Sequence, residues 1–315
     1  MSEKANNSSL DGEDKARTIN INGSGKITGG EYDDVRITGS GIVKDASAKS
    51  ITITGSGRVE GPNSASDKNH NTHTGDARSA TVNGSGVITG GTYSTVVING
   101  TGKITSDVVC RTFIIHGSGK AMGKMQCERA SISGSGCIEG DLRAETLEVG
   151  GSASFGANVV CNNMDVTGSG SIKESLHAQN VNIVGTLKVG CDCNAEQFCS
   201  EGAIDVGGLL NAGDIDIRLR SSRSNVQEIG GERIKVNIYG IRLGLLRSLF
   251  GSGWLVPCLE TELIEGNEIS LENTTAKVVR GNNIVLGKGC DIGLVEYTGS
   301  LRLTNDAKCA EQRKL

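Results

Sequence analysis

Short bursts of alternating apolar and polar residues run along almost the whole chain, and they repeat. A Gly-Ser-Gly triplet or a close relative punctuates them, its first glycine falling at Gly23, Gly39, Gly55, Gly84, Gly100, Gly117, Gly134, Gly151, Gly168, Gly185 and Gly202. The steps between these glycines are 16, 16, 29 and 16 residues, followed by six steps of 17. Aligned on that glycine, apolar residues stand four and two positions before it (Val96/Ile98, Phe113/Ile115, Leu147/Val149, Met164/Val166). Others stand four after it (Ile88, Ile104, Ile138, Phe155, Ile172) and eight after it (Val108, Met125, Leu142, Val159, Leu176). Period-two alternation predicts half-buried strands. Three such runs per repeat, separated by glycine-rich corners, predict one triangular turn of a parallel β-helix. Each turn of about 17 residues then pairs with the next, and equivalent residues stack in ladders. The column ten residues after the glycine reads Cys110, Cys127, Ala144, Cys161, Ala178, Ala195 and Ala212. It predicts a tight interior spot in which the cysteines are small core residues. The corner glycines themselves read as positions that tolerate positive φ.

The single long step is an ordinary one carrying a polar insertion around Pro62, which predicts a loop at residues 62–78. Beyond Gly202 the strand column continues at Ile215 and Ile217. A variant motif then appears as IGGERIKV, IEGNEISL and VRGNNIVL around Gly231, Gly266 and Gly281. The steps of 35 and 15 imply a second insertion at residues 237–257, containing Trp254 and Pro257. Both prolines of the chain thus fall in insertions, as expected if the rest is continuous sheet. The organisation read from the sequence is a disordered polar tail at 1–16, a β-helix at 17–218, and a β-rich segment at 219–315 that continues the solenoid.

Composition fits thin repeated layers better than a core of large residues: 46 of 315 residues are glycine and 3% are aromatic. The formal charge of −4 argues against a general affinity for nucleic acid. The first residues, MSEKANNSSLDGEDKA, lack the apolar stretch of a signal peptide, so the ten cysteines are expected as reduced thiols in the cytoplasm. No Gly-rich phosphate motif follows a strand into a helix, which leaves no nucleotide site to expect. His116 and His177 fall on outward registers, and His70 and His73 in the polar insertion. Cys191, Cys193 and Cys199 lack the paired spacing of structural zinc sites. No catalytic residue, cofactor or metal is therefore expected, and the chain is not read as an enzyme. A β-helical acyltransferase is the weaker reading, since its 18-residue turn does not fit a steady step of 17. An open β-helix ends in unpaired backbone groups that template another chain, and no capping helix is visible. The expectation is a homopolymer assembling end to end, with Ile19, Ile21 and Ile27 in the terminal contact. The rival is a non-polymerising solenoid that displays partners along its faces.

The second insertion is the most hydrophobic stretch of the chain. Leu245, Leu246, Leu249, Phe250 and Trp254 lie in it with Arg242 and Arg247, and residues 218–256 hold seven basic side chains against two acidic ones. Three readings stand: a lid folded over an end or face of the coil, contact with an anionic membrane surface at the inner face of the cell membrane, or docking of a partner.

The motifs ITGSGRVEG, ISGSGCIEGDLRAETLEVGGS and VTGSGSIKESLHAQNVNIVGTLKVG resemble the bactofilin family of bacterial polymer-forming cytoskeletal proteins. The tail ELIEGNEISLENTTAKVVRGNNIVLGKGCDIGLVEY is similar to the longer Gram-positive members. Together these regions cover most of residues 19–300. The resemblance implies a right-handed triangular β-helix that polymerises end to end without nucleotide. It also implies scaffolding in cell shape, envelope organisation or motility, with no catalytic residues to carry over. The departure is a coil that is longer and interrupted, behind an acidic polar N-terminus. Envelope proteins and the membrane surface are further partners on this reading; nucleotide and nucleic acid are not.

Overall fold

The computed structural model describes residues 17–60, 78–220, 222–238, 257–304 and 306–315. They are all-β and contain no helix: a parallel β-solenoid in which each strand pairs with the strand one turn away. The chain divides into two compact units, Met1–Glu145 with Gly151–Ser154 and Thr146–Gly150 with Phe155–Leu315.

In the first unit a representative turn runs through the strands Val108–Ile115 and Ser118–Ala121. Val108–Ile115 lies between Gly91–Ile98 and Met125–Ile132, parallel and in register, so that Val96, Phe113 and Ala130 stack, as do Ile98, Ile115 and Ile132. Burial alternates along it until Cys110, skips two residues, and resumes at Phe113. That break in phase bends the strand and gives three inward-facing runs per turn, as the sequence pattern requires. The first insertion leaves the sheet intact. Ser47–Ile53 pairs directly with Ser79–Val82 across a step of 29 residues, and residues 61–77 lie outside the described residues.

The corner glycines are needed for a different reason from the one the sequence suggests. Among the described residues the glycines with positive φ are Gly29, Gly30, Gly91 and Gly289, none of them in a Gly-Ser-Gly triplet. A Cβ on Gly100, Gly117 or Gly134 would instead overlap the carbonyl oxygen of Gly84, Gly100 or Gly117, one turn earlier. The second glycine of the triplet faces inward, where a Cβ on Gly119 would lie 2.7 Å from a methyl of Ile115 and one on Gly136 2.9 Å from a methyl of Ile132. One glycine lets successive corners stack and the other leaves room for the isoleucine beside it. Sterics, not dihedral freedom, set both.

The small-residue column is less uniform than expected. Cys110, Cys127, Cys161 and Ala212 are buried, but Ala144, Ala178 and Ala195 are half-buried. Tyr93 stacks on Cys110 and stays buried, its hydroxyl donating to the Thr89 carbonyl at 3.1 Å. The column therefore takes a large ring where a polar tip can reach backbone at the corner.

In the second unit the turns from Ala203 to Leu303 merge into strands of 13 to 17 residues: Ala203–Leu219, Ser224–Ile238, Leu259–Leu271, Thr274–Leu286 and Asp291–Leu303. Gly231, Gly266 and Gly281 stack, and Ile234, Ile269 and Ile284 stack beside them, matching the variant motif. Ser224–Ile238 pairs directly with Leu259–Leu271, so the second insertion also leaves the ladder unbroken. Its Arg242, Leu245, Leu246, Arg247, Leu249, Phe250 and Trp254 lie outside the described residues. Charge fixes register here. Arg233 binds Asp214, Lys277 Nζ stands 2.6 Å from Glu262, and Arg280 stands 3.6 Å from Glu265, each pair joining neighbouring turns.

All ten cysteines are free thiols, and Cys193 stacks between Leu176 and Leu210 in the core. Burial pushes the Cys161 and Cys193 thiols up to about 12, and a hydrogen bond with Cys127, reinforced by burial, raises the Cys110 thiol as well. At neutral pH iodoacetamide should therefore label exposed Cys191 while Cys161 and Cys193 stay unmodified until the protein unfolds. The pH dependence follows. Between the unfolded thiol pKa near 9 and the folded value near 12, the unfolded state holds fewer protons. The stability contributed by these thiols is whole below that window and lost as pH rises through it. Denaturant titrations at increasing alkaline pH, with and without Cys161→Ala and Cys193→Ala, read this slope, which the two substitutions should flatten.

Candidate assembly surfaces

The sides of the solenoid offer little chemistry. One shallow depression of about 460 Å³ crosses four turns of the first unit, lined by Ser85, Thr101, Ser118 and Ser135 together with Lys103 and Lys120. Neither a histidine nor a carboxylate lines it, and Lys120 Nζ is held 2.6 Å from Glu139. His116 is exposed, its Nδ1 2.8 Å from Ser133 Oγ, and His177 is exposed on a different register of the repeat. Among the described residues no group of three metal-ligating side chains converges. No helix among them is long and apolar enough to cross a membrane.

The first and last turns are different, because there the ladders lose a neighbour. Thr18–Ile21 pairs with the turn above through Thr18–Asp34 to Ile21–Ile37, and Lys26–Thr28 pairs with Ile42–Lys44. Among the described residues neither strand has a partner on its other edge. Burial registers the loss: Ile19 and Ile21 retain 8% and 7% exposure, against 0% and 1% for Val35 and Ile37 one turn up. Ile27 is half-buried. The structure thus brings Ile19, Ile21 and Ile27 together as the apolar floor of the first described turn. Around the rim the Arg17 backbone N–H donates to Asp33 Oδ2 at 2.8 Å, and Lys49 stands 3.0 Å from Asp33 Oδ1. The Lys49 hydrogen bond and the Arg17 N–H hold the Asp33 carboxyl below the usual carboxylate range.

At the other end Asp291–Leu303 pairs along its length with Thr274–Leu286, but only Asp291–Tyr297 is covered by the strand Lys308–Lys314. Ser300–Leu303 is therefore a second open edge among the described residues, with Leu301 half-buried and Leu303 37% exposed. The covering strand, KCAEQRK, is polar and exposed apart from half-buried Cys309. Glu265, Arg280, Glu296 and Arg313 follow one another on successive turns. Glu296, 7% exposed, accepts from Arg280 Nε at 2.9 Å and from Arg313 Nη1 at 3.0 Å, which offsets the cost of burying its charge. Sequence reasoning did not single out this end, although YTGSLRL repeats the apolar-x-apolar pattern of the variant motif at Leu301 and Leu303.

Among the described residues the stacked parallel turns leave apolar open edges at the first and last turns and no convergent group of metal-ligating side chains. Residues 68–160 match the bactofilin family model, which is described as polymer-forming cytoskeletal. Residues 68–160 are thus similar to a bactofilin domain. The matched segment begins in the first insertion and continues through turns of 16 and 17 residues. The chain is 39% identical over 110 residues to the uncharacterized protein YhbE of Bacillus subtilis (strain 168), covering 35% of this chain and 44% of that protein. It is also 39% identical over 111 residues to the uncharacterized protein YhbF of the same organism, covering 34% of this chain and 42% of that one. The chain thus spans less than half the length of either relative. No solved structure matches it.

Proposed function

We propose that this protein is a cytoskeletal scaffold that self-assembles through its first and last turns, without nucleotide and without a catalytic role of its own. The observation that carries the reading is the pair of open edges. Among the described residues Thr18–Ile21 and Ser300–Leu303 each have an edge with no paired strand, beside apolar side chains, a combination that adds strands from another chain unless something blocks it. The polymer-forming description of the matched family supports the same reading. Cell shape, envelope organisation and motility are the processes such a scaffold would serve. Sedimentation and negative-stain microscopy of the purified protein without nucleotide test it. Filaments or higher-order assemblies are expected. A monomer at all concentrations would overturn the reading in favour of a solenoid that displays partners along its sides.

A further inference from the structure

The dipeptide Asn-Gly occurs three times, at Asn22-Gly23, Asn83-Gly84 and Asn99-Gly100, always at the same corner of the repeat. It is a chemically labile link, because a glycine leaves its own N–H unshielded beside the asparagine amide carbon. The three corners differ in what holds them. Asn99 Nδ2 donates to Asn83 Oδ1 at 2.7 Å, which ties those two side chains together along the ladder. The Asn83 and Asn99 N–H groups donate to the Ile53 and Val82 carbonyls of the preceding turns at 2.8 Å, and the Gly100 N–H also reaches Val82 at 3.2 Å. Gly84 and Gly100 are half-buried, the first against the Gly55 carbonyl and the second against that of Gly84. Asn22 and Gly23 are exposed, and nothing stands within 4 Å of the Gly23 Cβ position. Among the described residues the peptide joining them makes no backbone hydrogen bond, and the Asn22 side chain has no partner.

We propose that Asn22 is a site of spontaneous deamidation in the folded protein, and that the isoaspartate formed there loosens the first described turn. The Gly23 nitrogen gives up its proton and attacks Asn22 Cγ. The new N–Cγ bond closes a succinimide ring as the Cγ–Nδ2 bond breaks, and ammonia leaves with the proton. Water then opens the ring. Cleavage at the Asn22 backbone carbonyl routes the chain through Cβ as isoaspartate, and cleavage at Cγ gives an ordinary aspartate. The sum is amide plus water to carboxylic acid plus ammonia, with nothing oxidised or reduced. Ring closure requires the Asn-Gly peptide plane to turn, which at Asn83 and Asn99 works against the bonds that hold those corners. At Asn22 no hydrogen bond of that peptide is lost. Isoaspartate adds one atom to the backbone between two bonds that secure the first turn to the second. These run from the Thr38 N–H to the Ile21 carbonyl at 2.8 Å and from the Ser40 N–H to the Gly23 carbonyl at 3.0 Å. The site does not depend on the self-association proposed above.

Mass spectrometry of the full-length protein reads all three sites together. Native and urea-unfolded samples are aged in mildly alkaline buffer and digested with trypsin, which releases residues 18–26 with Asn22 and residues 79–103 with Asn83 and Asn99. In urea the three sites should convert at similar rates. In the native sample Asn22 should convert within a factor of about three of its unfolded rate, and Asn83 and Asn99 about tenfold or more slower than Asn22. Isoaspartate is identified by co-elution with a synthetic 18–26 peptide that carries it. Gly23→Ala, whose methyl shields the attacking nitrogen, should remove most of the native conversion without lowering the melting temperature. Native protection at Asn22 equal to that at Asn83 and Asn99 would overturn the proposal. Protection that appears at Asn22 only as protein concentration rises would uphold the site and show that association covers it. Hydrogen exchange reads the consequence. In the aged protein the Thr38 and Ser40 amides should exchange faster while those of Ile115 and Ile132 keep their rates, and unchanged exchange at Thr38 and Ser40 would refute the loosening.

Discussion

Ile132→Asp should cost roughly 4 kcal/mol or more of stability, while Ser135→Asp, three residues along the same chain, should cost less than about 0.5 kcal/mol. Ile132 is fully buried and stacks on Ile115, whereas Ser135 is exposed on the outer side of the next strand. An aspartate at 132 would lose the apolar contacts of the isoleucine and place a carboxyl where no donor is within reach. It must either carry an unpaired charge or be protonated at neutral pH, and both states are unfavourable. Because each turn packs against the next, the damage would spread to its neighbours. Val166→Asp should behave like Ile132→Asp, since Val166 is buried in the matching column. Thermal or urea denaturation of the three variants reads the difference. Equal losses at 132 and 135 would mean that the inward register is wrong.

Gly134→Ala should be nearly as damaging as the buried aspartate, at about 3 kcal/mol, and Gly23→Ala almost silent. Both glycines occupy the same corner of the repeat, and neither has positive φ. At Gly134 a methyl would overlap the carbonyls of Gly117 and His116 in the turn below, and backbone cannot move aside there without opening the ladder. Gly23 has no turn beneath it among the described residues, and nothing stands within 4 Å of its Cβ position. Alanine there should be neutral, or stabilising by up to ~1 kcal/mol through the unfolded chain. Were dihedral freedom the reason for these glycines, the two substitutions would cost the same. Denaturant midpoints of the two variants decide between them.

That contrast shows what the sequence made legible. The period, the three apolar runs and the inward columns through Val96, Phe113 and Leu142 were readable because strand burial imposes a period of two and the repeat imposes one of about 17. Composition could say that glycine was required at the corners but not why. Close approach between turns is a contact between residues 16 or 17 apart, and a single repeat viewed alone does not contain it. Tyr93 was hard to place for a related reason. The column looked small from Cys110 onward, and only the corner carbonyl of Thr89 explains how a ring fits one turn earlier. At the ends, Ile19, Ile21 and Ile27 followed from their position at the start of the repeat. Leu301 and Leu303 did not, because their exposure depends on Lys308–Lys314 covering only part of the preceding turn.

Self-association through the terminal turns is the central claim, and a doubly substituted chain, Ile19→Lys with Ile21→Lys, measured by sedimentation velocity beside the unmodified protein, tests it most directly. These side chains form the floor of the first described turn and stack on one neighbouring turn only, so the variant should lose stability in that turn while keeping its β-sheet circular dichroism and a cooperative melt. Its sedimentation should collapse to a single slow species while the unmodified protein forms large assemblies. Assemblies of undiminished size from the folded variant would contradict the account and point to association along the sides of the solenoid.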